Sequence, residues 1–378
     1  MEDDNPFLIR GYESPDLFCD RQEETKRIIA AVDSKRNLTL ISLRRMGKTG
    51  LIHHVMEQKN HKRNTACFYL DMLPTGNLNE LIQLLGKQIL VKLEPKHEQF
   101  IKKAAGFFRG LSPALKYDAL TGEPSLEFSI DTPQQARYTI EQIFAYIDQS
   151  GKKIIIAMDE FQQIVNYPEK NVEALLRSNI QSCKNASFIF SGSQKGMLVS
   201  MFSGHGKPFF QSAEILHLEA IDPDTYADFI AEKFKSGKRR ISNTGIRHIL
   251  QVSRGHTWYV QYICNKLYGT GIRDLSDELI GKTIVNILHE NEVVYYNYRK
   301  LLTANQWQLL KAIAREDRVQ MILGGHFIHK HKLGGPSSVK AALDALIEKE
   351  MVYEEENDEH KFYRVYDVFL SLWLNIGI

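Results

Sequence analysis

Ser42-Leu-Arg-Arg-Met-Gly47-Lys48-Thr49 lies between two contrasting patterns. It overlaps the end of an apolar run, Leu38-Thr-Leu-Ile-Ser-Leu43, and opens into Gly50-Leu-Ile-His-His-Val-Met56, which has helical spacing. Gly-Lys-Thr alone is a tripeptide that chance supplies often. Between a strand and a helix it becomes the phosphate-binding pattern G-x-x-x-x-G-K-[ST], with Ser42 where the first Gly is usual. Such a loop works because backbone N–H groups at a helix N-terminus curl around nucleotide phosphates. Gly47 allows close backbone approach, Lys48 supplies a mobile cation, and the Thr49 hydroxyl completes a Mg²⁺ shell. Ser42, Arg44, Arg45, Met46 and Gly50 complete the expected cradle. The two arginines read either as solvated loop charge or as contacts to phosphate or a neighbouring protomer.

A second pattern follows about 110 residues on: Lys153-Ile-Ile-Ile-Ala-Met-Asp159-Glu160. An apolar run ending in Asp-Glu puts Asp159 at a sheet edge to hold Mg²⁺, and Glu160 beside it to deprotonate an attacking water. Alone, the pair is also what a helix N-cap with a first-turn acid looks like; the loop upstream favours the catalytic reading. Three further runs, Ala66–Asp71, Ser187–Gly192 and Glu214–Leu218, alternate with helical patterns. Together they predict an α/β fold with a parallel sheet buried on both faces. Ala66–Asp71 falls between the two motifs, as in P-loop proteins with a catalytic Glu and an extra intervening strand. Ser191, in Ser191-Gly-Ser193, is expected to reach the γ-phosphate and lytic water, although Ser-Gly-Ser is also a generic turn. Leu78–Leu93 reads as an amphipathic helix, and Phe107–Thr132 as a long insertion or loop.

Composition excludes several classes. With 43% hydrophobic and 25% charged residues, the chain is not wholly disordered. A net charge of +2 points to no polyanionic partner. No apolar stretch approaches membrane-spanning length, and Met1-Glu-Asp-Asp-Asn-Pro lacks the basic and apolar regions of a secretory leader. Cys19, Cys67, Cys183 and Cys264 are scattered, without CxxC or zinc spacing, so a reducing cytoplasm is expected.

Beyond Leu218 the pattern is helical to about Leu301, with Asp222-Pro223 as a start and Gly255 and Gly271 as stops. Then come helices Ala304–Arg315, Phe327–His331 and Pro336–Lys349, and strands Met351–Glu354 and Lys361–Tyr366. Three helices and a hairpin are the order of a winged helix. From Leu301 onward nine Lys and Arg face eleven Asp and Glu, a local charge of −2, and the wing carries Glu354-Glu-Glu-Asn-Asp-Glu359. Carboxylates there oppose the counterion release that drives DNA binding, so a protein contact or an intramolecular clamp is favoured over DNA. His329-Lys-His-Lys332 and the basic run Lys233–Arg240 keep the DNA alternative open. His326, His329 and His331 lack ligand spacing for a metal. Arg177 reads as a surface helix arginine, with an arginine finger as the alternative.

Taken together, these residues resemble the archaeal-type ATPase family, related to the AAA+ and STAND branches. Phe18-Cys-Asp-Arg21-Gln-Glu-Glu24 is similar to its N-terminal box, which implies a place for Arg21 near the adenine. Leu43-Arg-Arg-Met-Gly-Lys-Thr49, Met158-Asp-Glu-Phe-Gln162 and Phe190-Ser-Gly-Ser193 match its nucleotide motifs. Ser253-Arg-Gly255-His-Thr257 is similar to its lid motif, with Thr257 where Pro is usual. The resemblance implies ATP, as does the absence of an N-K-x-D guanine motif, and it also implies the C-terminal winged helix. The expectation is a cytoplasmic MgATP hydrolase with three parts: a P-loop domain 1–220, a helical lid 221–300 and a winged helix 301–378. Lys48, Ser191 and Glu160 would serve catalysis, while Thr49 and Asp159 hold the metal. It would switch a protein partner; a DNA-associated ATPase and a nucleotide-held scaffold are the alternatives.

Overall fold

A computed structural model describes residues 4–62, 64–90, 93, 114–117, 124–356 and 360–377. Packing divides the chain into two units, Arg10–Ala220 and a second that combines residues 4–9 with everything from Ile221 onward.

The first unit is built on α1 (Gln22–Asp33), β1 (Leu38–Ile41), α2 (Lys48–Asn60), β2 (Thr65–Asp71) and α3 (Leu78–Leu85). It continues through β3 (Ala114–Tyr117), β4 (Pro124–Glu127), α4 (Pro133–Asp148) and β5 (Lys153–Asp159). After β5 come α5 (Val172–Ser182), β6 (Ala186–Gly192), α6 (Lys195–Ser203) and β7 (Glu214–His217). Five strands form one sheet in the order β2-β5-β6-β1-β7, every neighbouring pair parallel. Side chains alternate across a strand, and both faces are covered. Ile154, Ile156 and Met158 join an apolar layer with Phe188 and Phe190, while Ile155 and Ala157 join Leu38, Leu40 and Ile189 on the other face. That double burial is why β5 reads as an unbroken apolar run. Truncating fully buried Ile156 to Ala would cost about 2–5 kcal/mol.

Two expectations need correction. Phe107–Thr132 is not all loop: it contains the antiparallel pair β3–β4, set in a stretch of Gly, Pro and Ser without sustained periodicity, while the rest of that stretch up to Glu127 lies outside the described residues. The helix expected over Leu78–Leu93 leaves α geometry at Gly86, where a π-helical turn runs to Leu90. Residues 91 and 92 lie outside the described residues.

The second unit holds α7 (Pro223–Ser236), β8 (Arg240–Ile241), α8 (Asn243–Val252), α9 (Thr257–Gly269), β9 (Asp274–Leu275), α10 (Asp277–Glu290) and α11 (Glu292–Leu301). Asp222 caps α7 by accepting from the N–H groups of Asp224 and Thr225, with Pro223 at the first helical position. Thr257 occupies the first position of α9, a place where Pro is also tolerated because the N–H has no intrahelical partner. Phe7 is fully buried here against Phe234 and Tyr268, and Asn5 and Asn265 exchange hydrogen bonds with the backbone of Asn265 and Phe7.

The winged helix follows as α12 (Ala304–Glu316), α13 (Gly325–Lys330), α14 (Pro336–Glu348), β10 (Val352–Glu356) and β11 (Lys361–Val365), closed by α15 (Val368–Ile376), which sequence reading missed. The acidic wing tip 357–359 lies outside the described residues. Arg254, at φ +53°, donates to the Val365 carbonyl and the Ser371 hydroxyl, both at 2.9 Å, and pairs with Asp317 at 2.6 Å. Val368 N–H donates to the Tyr259 hydroxyl, and Phe369 packs edge-on to that ring. His331 faces Glu316 at 2.8 Å. Among the described residues no group of His, Cys, Asp or Glu is arranged to hold a metal, and no helix is long and apolar enough to cross a membrane.

Candidate functional site

Parallel strands bring their C-terminal ends to one edge, and the expected residues gather there. β1 passes into loop 42–47, β5 ends at Asp159, and β6 ends at Ser191-Gly192. Gly47, at φ +92°, caps α2 in the left-handed region that glycine favours. Arg45 is left-handed too, at φ +68°, whereas Ser42 is not, so a side chain is tolerated where Gly is usual. The Ser42 hydroxyl accepts from Lys48 Nζ at 3.2 Å and donates to the Leu43 carbonyl. Lys48 Nζ also donates to the carbonyls of Ser42 and Leu43, at 3.5 and 3.2 Å. Burial holds its ammonium below the ordinary lysine range, the charges of Asp159 and Glu160 oppose that shift, and Arg44 adds to it. Arg44 is half-buried, Arg45 exposed, and Met46 buried.

Asp159 is the hub. Its Oδ2 accepts from the Thr49 hydroxyl at 2.9 Å and the Tyr69 hydroxyl at 2.7 Å. Its Oδ1 accepts from the Ser191 hydroxyl at 2.6 Å and the Glu160 N–H at 3.1 Å. Four donors satisfy a carboxylate that is only 5% exposed; leaving such a group unsatisfied would cost about 1–3 kcal/mol or more. Burial, reinforced by the charge of Asp159, pushes the Tyr69 hydroxyl far above the ordinary tyrosine range, so it stays a donor. Thr49 and Asp159 present neutral and anionic oxygens side by side, the donor chemistry of Mg²⁺.

Glu160, half-buried at φ +53°, points to different partners. Its Oε2 accepts from Gln162 Nε2 at 2.5 Å, from Ser193 N–H at 3.2 Å and from the Ser193 hydroxyl at 2.8 Å. Ser191 and Ser193 are therefore divided: Ser191 is fully buried on Asp159, and Ser193 is the one on the glutamate. Tyr69, Gln162 and Ser193 were not singled out from sequence. Tyr69 reaches Asp159 because residues 67, 69 and 71 share one face of β2 and Asp71 pairs in register with Asp159, a register the sequence does not show. Arg21, 4% exposed at the N-cap of α1, bonds Glu24 at 2.8 Å and donates to the Met46 carbonyl at 3.3 Å, bracing the loop. Arg177 sits half-buried on α5, its Nε buried without a hydrogen-bond partner. Gly50 lies in the first turn of α2.

A family model described as an ATPase domain predominantly from Archaea matches residues 18–263, and one described as a "probable winged helix domain" matches 293–376. None of the curated proteins matches in sequence. Among solved structures, the Walker-type ATPase of Pyrococcus abyssi superposes with TM-score 0.65 at 18% identity, covering 98% of this chain and 99% of that one. The Aeropyrum pernix ORC2 protein in ADPNP–ADP complexes gives 0.58 at 14% identity, covering 100% and 98%. The Aeropyrum pernix ORC1 protein in complex with DNA gives 0.52 at 12%, covering 96% and 94%. With a family model spanning well over half of its length, this chain belongs to the family of ATPase domains predominantly from Archaea, a P-loop nucleotide-binding fold followed by a winged helix.

Proposed function

We propose that the chain binds MgATP on the loop 42–50 and hydrolyses it, using the nucleotide state as a switch that acts on a protein partner in the cytoplasm. The observation that carries this reading is the division of labour at the end of β5: Asp159 is bonded to Thr49, and Glu160 is held separately with its Oε1 outside those contacts. Backbone N–H groups of the loop would take the phosphates, and Lys48 would leave its carbonyl partners for the β- and γ-phosphate oxygens. Thr49 and Asp159 would hold Mg²⁺, which neutralises charge on the leaving phosphate. Glu160 would accept the proton of a water as its oxygen bonds the γ-phosphorus and the bond to the bridging oxygen breaks, releasing ADP and phosphate. Ser191 would act through Asp159, keeping the metal-binding carboxylate in place.

A protein partner is favoured because the wing consumes its own cations: Arg364 pairs with Asp317 and Glu355, and Arg318 lies over Phe362 while facing Glu355. Counterion release needs free cations, and these already face carboxylates of the same module. The test is steady-state ATP hydrolysis by wild type and Glu160→Gln, each with and without duplex DNA. Expected is turnover that falls roughly 100-fold or more in the variant while ATP binding persists, and that ignores DNA. Unchanged hydrolysis in Glu160→Gln would remove it as the base, and DNA stimulation would replace the protein partner with DNA.

A further inference from the structure

We infer that Gln162 is a positioning residue for Glu160; the inference rests on the hydrolytic reading above. Gln162 stands two residues beyond the glutamate, in the 3-10 turn Phe161–Asn166. The left-handed conformation of Glu160 turns the chain back, and fully buried Phe161, packed against Phe190 and Phe209, anchors the residue between them. Gln162 is 4% exposed, and its Nε2 lies 2.5 Å from Glu160 Oε2.

Two independent features show that this placement is built. The amide passes over Gly192 at the end of β6, where a Cβ would come within 1.9 Å of Gln162 Oε1, so the path exists only because residue 192 has no side chain. In addition, Gln162 Oε1 is buried without a hydrogen-bond partner. An orphaned buried carbonyl costs roughly 1–3 kcal/mol, and a methionine would fill the same volume without that cost. Packing therefore does not explain the amide, whereas its bond to the glutamate does. Together Gln162 and Ser193 fix one carboxylate oxygen with three donors, which removes the rotational freedom of a side chain whose other oxygen must meet a water in line with the phosphorus.

The test compares wild type, Gln162→Met, Gly192→Ala and Glu160→Gln in kcat, KM, ATP affinity and thermal unfolding. Gln162→Met removes the donor but keeps the volume. Gly192→Ala leaves Gln162 in the chain and displaces its flexible tip from Glu160, while its Cβ also presses on buried Leu198, whose Cδ1 would lie 2.9 Å away. Both should lower kcat roughly 10- to 100-fold with ATP affinity and KM near wild type, and Gln162→Met should keep the wild-type unfolding temperature, whereas Gly192→Ala loses some stability by overpacking Leu198. Gln162→Met with undiminished kcat, in a protein whose turnover Glu160→Gln abolishes, overturns the inference and leaves the ATPase reading intact. So does a parallel loss of affinity and thermal stability, which would make Gln162 a structural residue. Wild type without turnover overturns the hydrolytic reading itself, and the inference falls with it.

Discussion

Helix α2 carries two buried lysines, one near each end, and they are built differently. Lys59, 1% exposed, is paired with the Asp33 carboxylate at 2.6 Å, and Asp33 is also held by Lys153 at 2.8 Å. Lys48, 7% exposed, meets two backbone carbonyls and a hydroxyl; among the described residues no carboxylate lies within ion-pair distance of it. A buried charge is stable when matched and costly when not. The matched lysine closes a network at the N-terminal end of β5, whereas the unmatched one stands at the strand edge where a polyanion would complete it. Burial alone would have given both residues the same role; what each ammonium faces distinguishes them.

The largest effect that would sharpen this contrast is on ligand affinity. Lys48→Met should weaken ATP binding by roughly 10- to 100-fold, the value of charged hydrogen bonds to phosphate, without lowering the unfolding temperature. Equilibrium titration measures it, and an affinity within threefold of wild type would break the assignment. Lys59→Met should do the reverse. It should leave ATP affinity alone and cost about 1–2 kcal/mol in urea unfolding, less than for a fully enclosed pair because Asp33 is 42% exposed and keeps Lys153. An unchanged urea midpoint would make the pair decorative.

The smallest effect concerns acid. Burial pushes the Asp33 carboxyl upward, but hydrogen bonds from Lys153 and Lys59 outweigh it and lower it from 3.8 to about 2. Its folded value lies below its unfolded one. The stabilisation is therefore complete above the unfolded value and is lost as pH falls from about 4 to about 2. Asp33→Asn should flatten the fall in unfolding temperature over that range; an unaltered acid limb would show that the network carries no pH dependence.

Elements buried on both sides were readable from sequence, because a strand such as Lys153–Asp159 must be apolar throughout. The loop was readable because its chemistry is local: Gly47, Lys48 and Thr49 are consecutive. The pairings across strands were not. Nothing in Ser191-Gly-Ser193 says that its two hydroxyls serve different carboxylates, since that follows from where β6 lies beside β5. Gln162 was visible only as part of a motif; its role depends on the missing side chain of Gly192, thirty residues away. The β3–β4 pair escaped for a different reason: its residues lie in a stretch of Gly, Pro and Ser without sustained periodicity, and β4 opens on Pro124.

Phe7 sets a timetable. Its partners Phe234 and Tyr268 come more than 220 residues later, and Asn5 waits 260 residues for Asn265. At ribosomal rates of roughly 5–20 residues per second, that interval is on the order of 10–50 s. The whole sheet is synthesised within it, so the first unit can fold while Phe7 still waits for its aromatic partners. The second unit, by contrast, closes its core with residues made before the sheet.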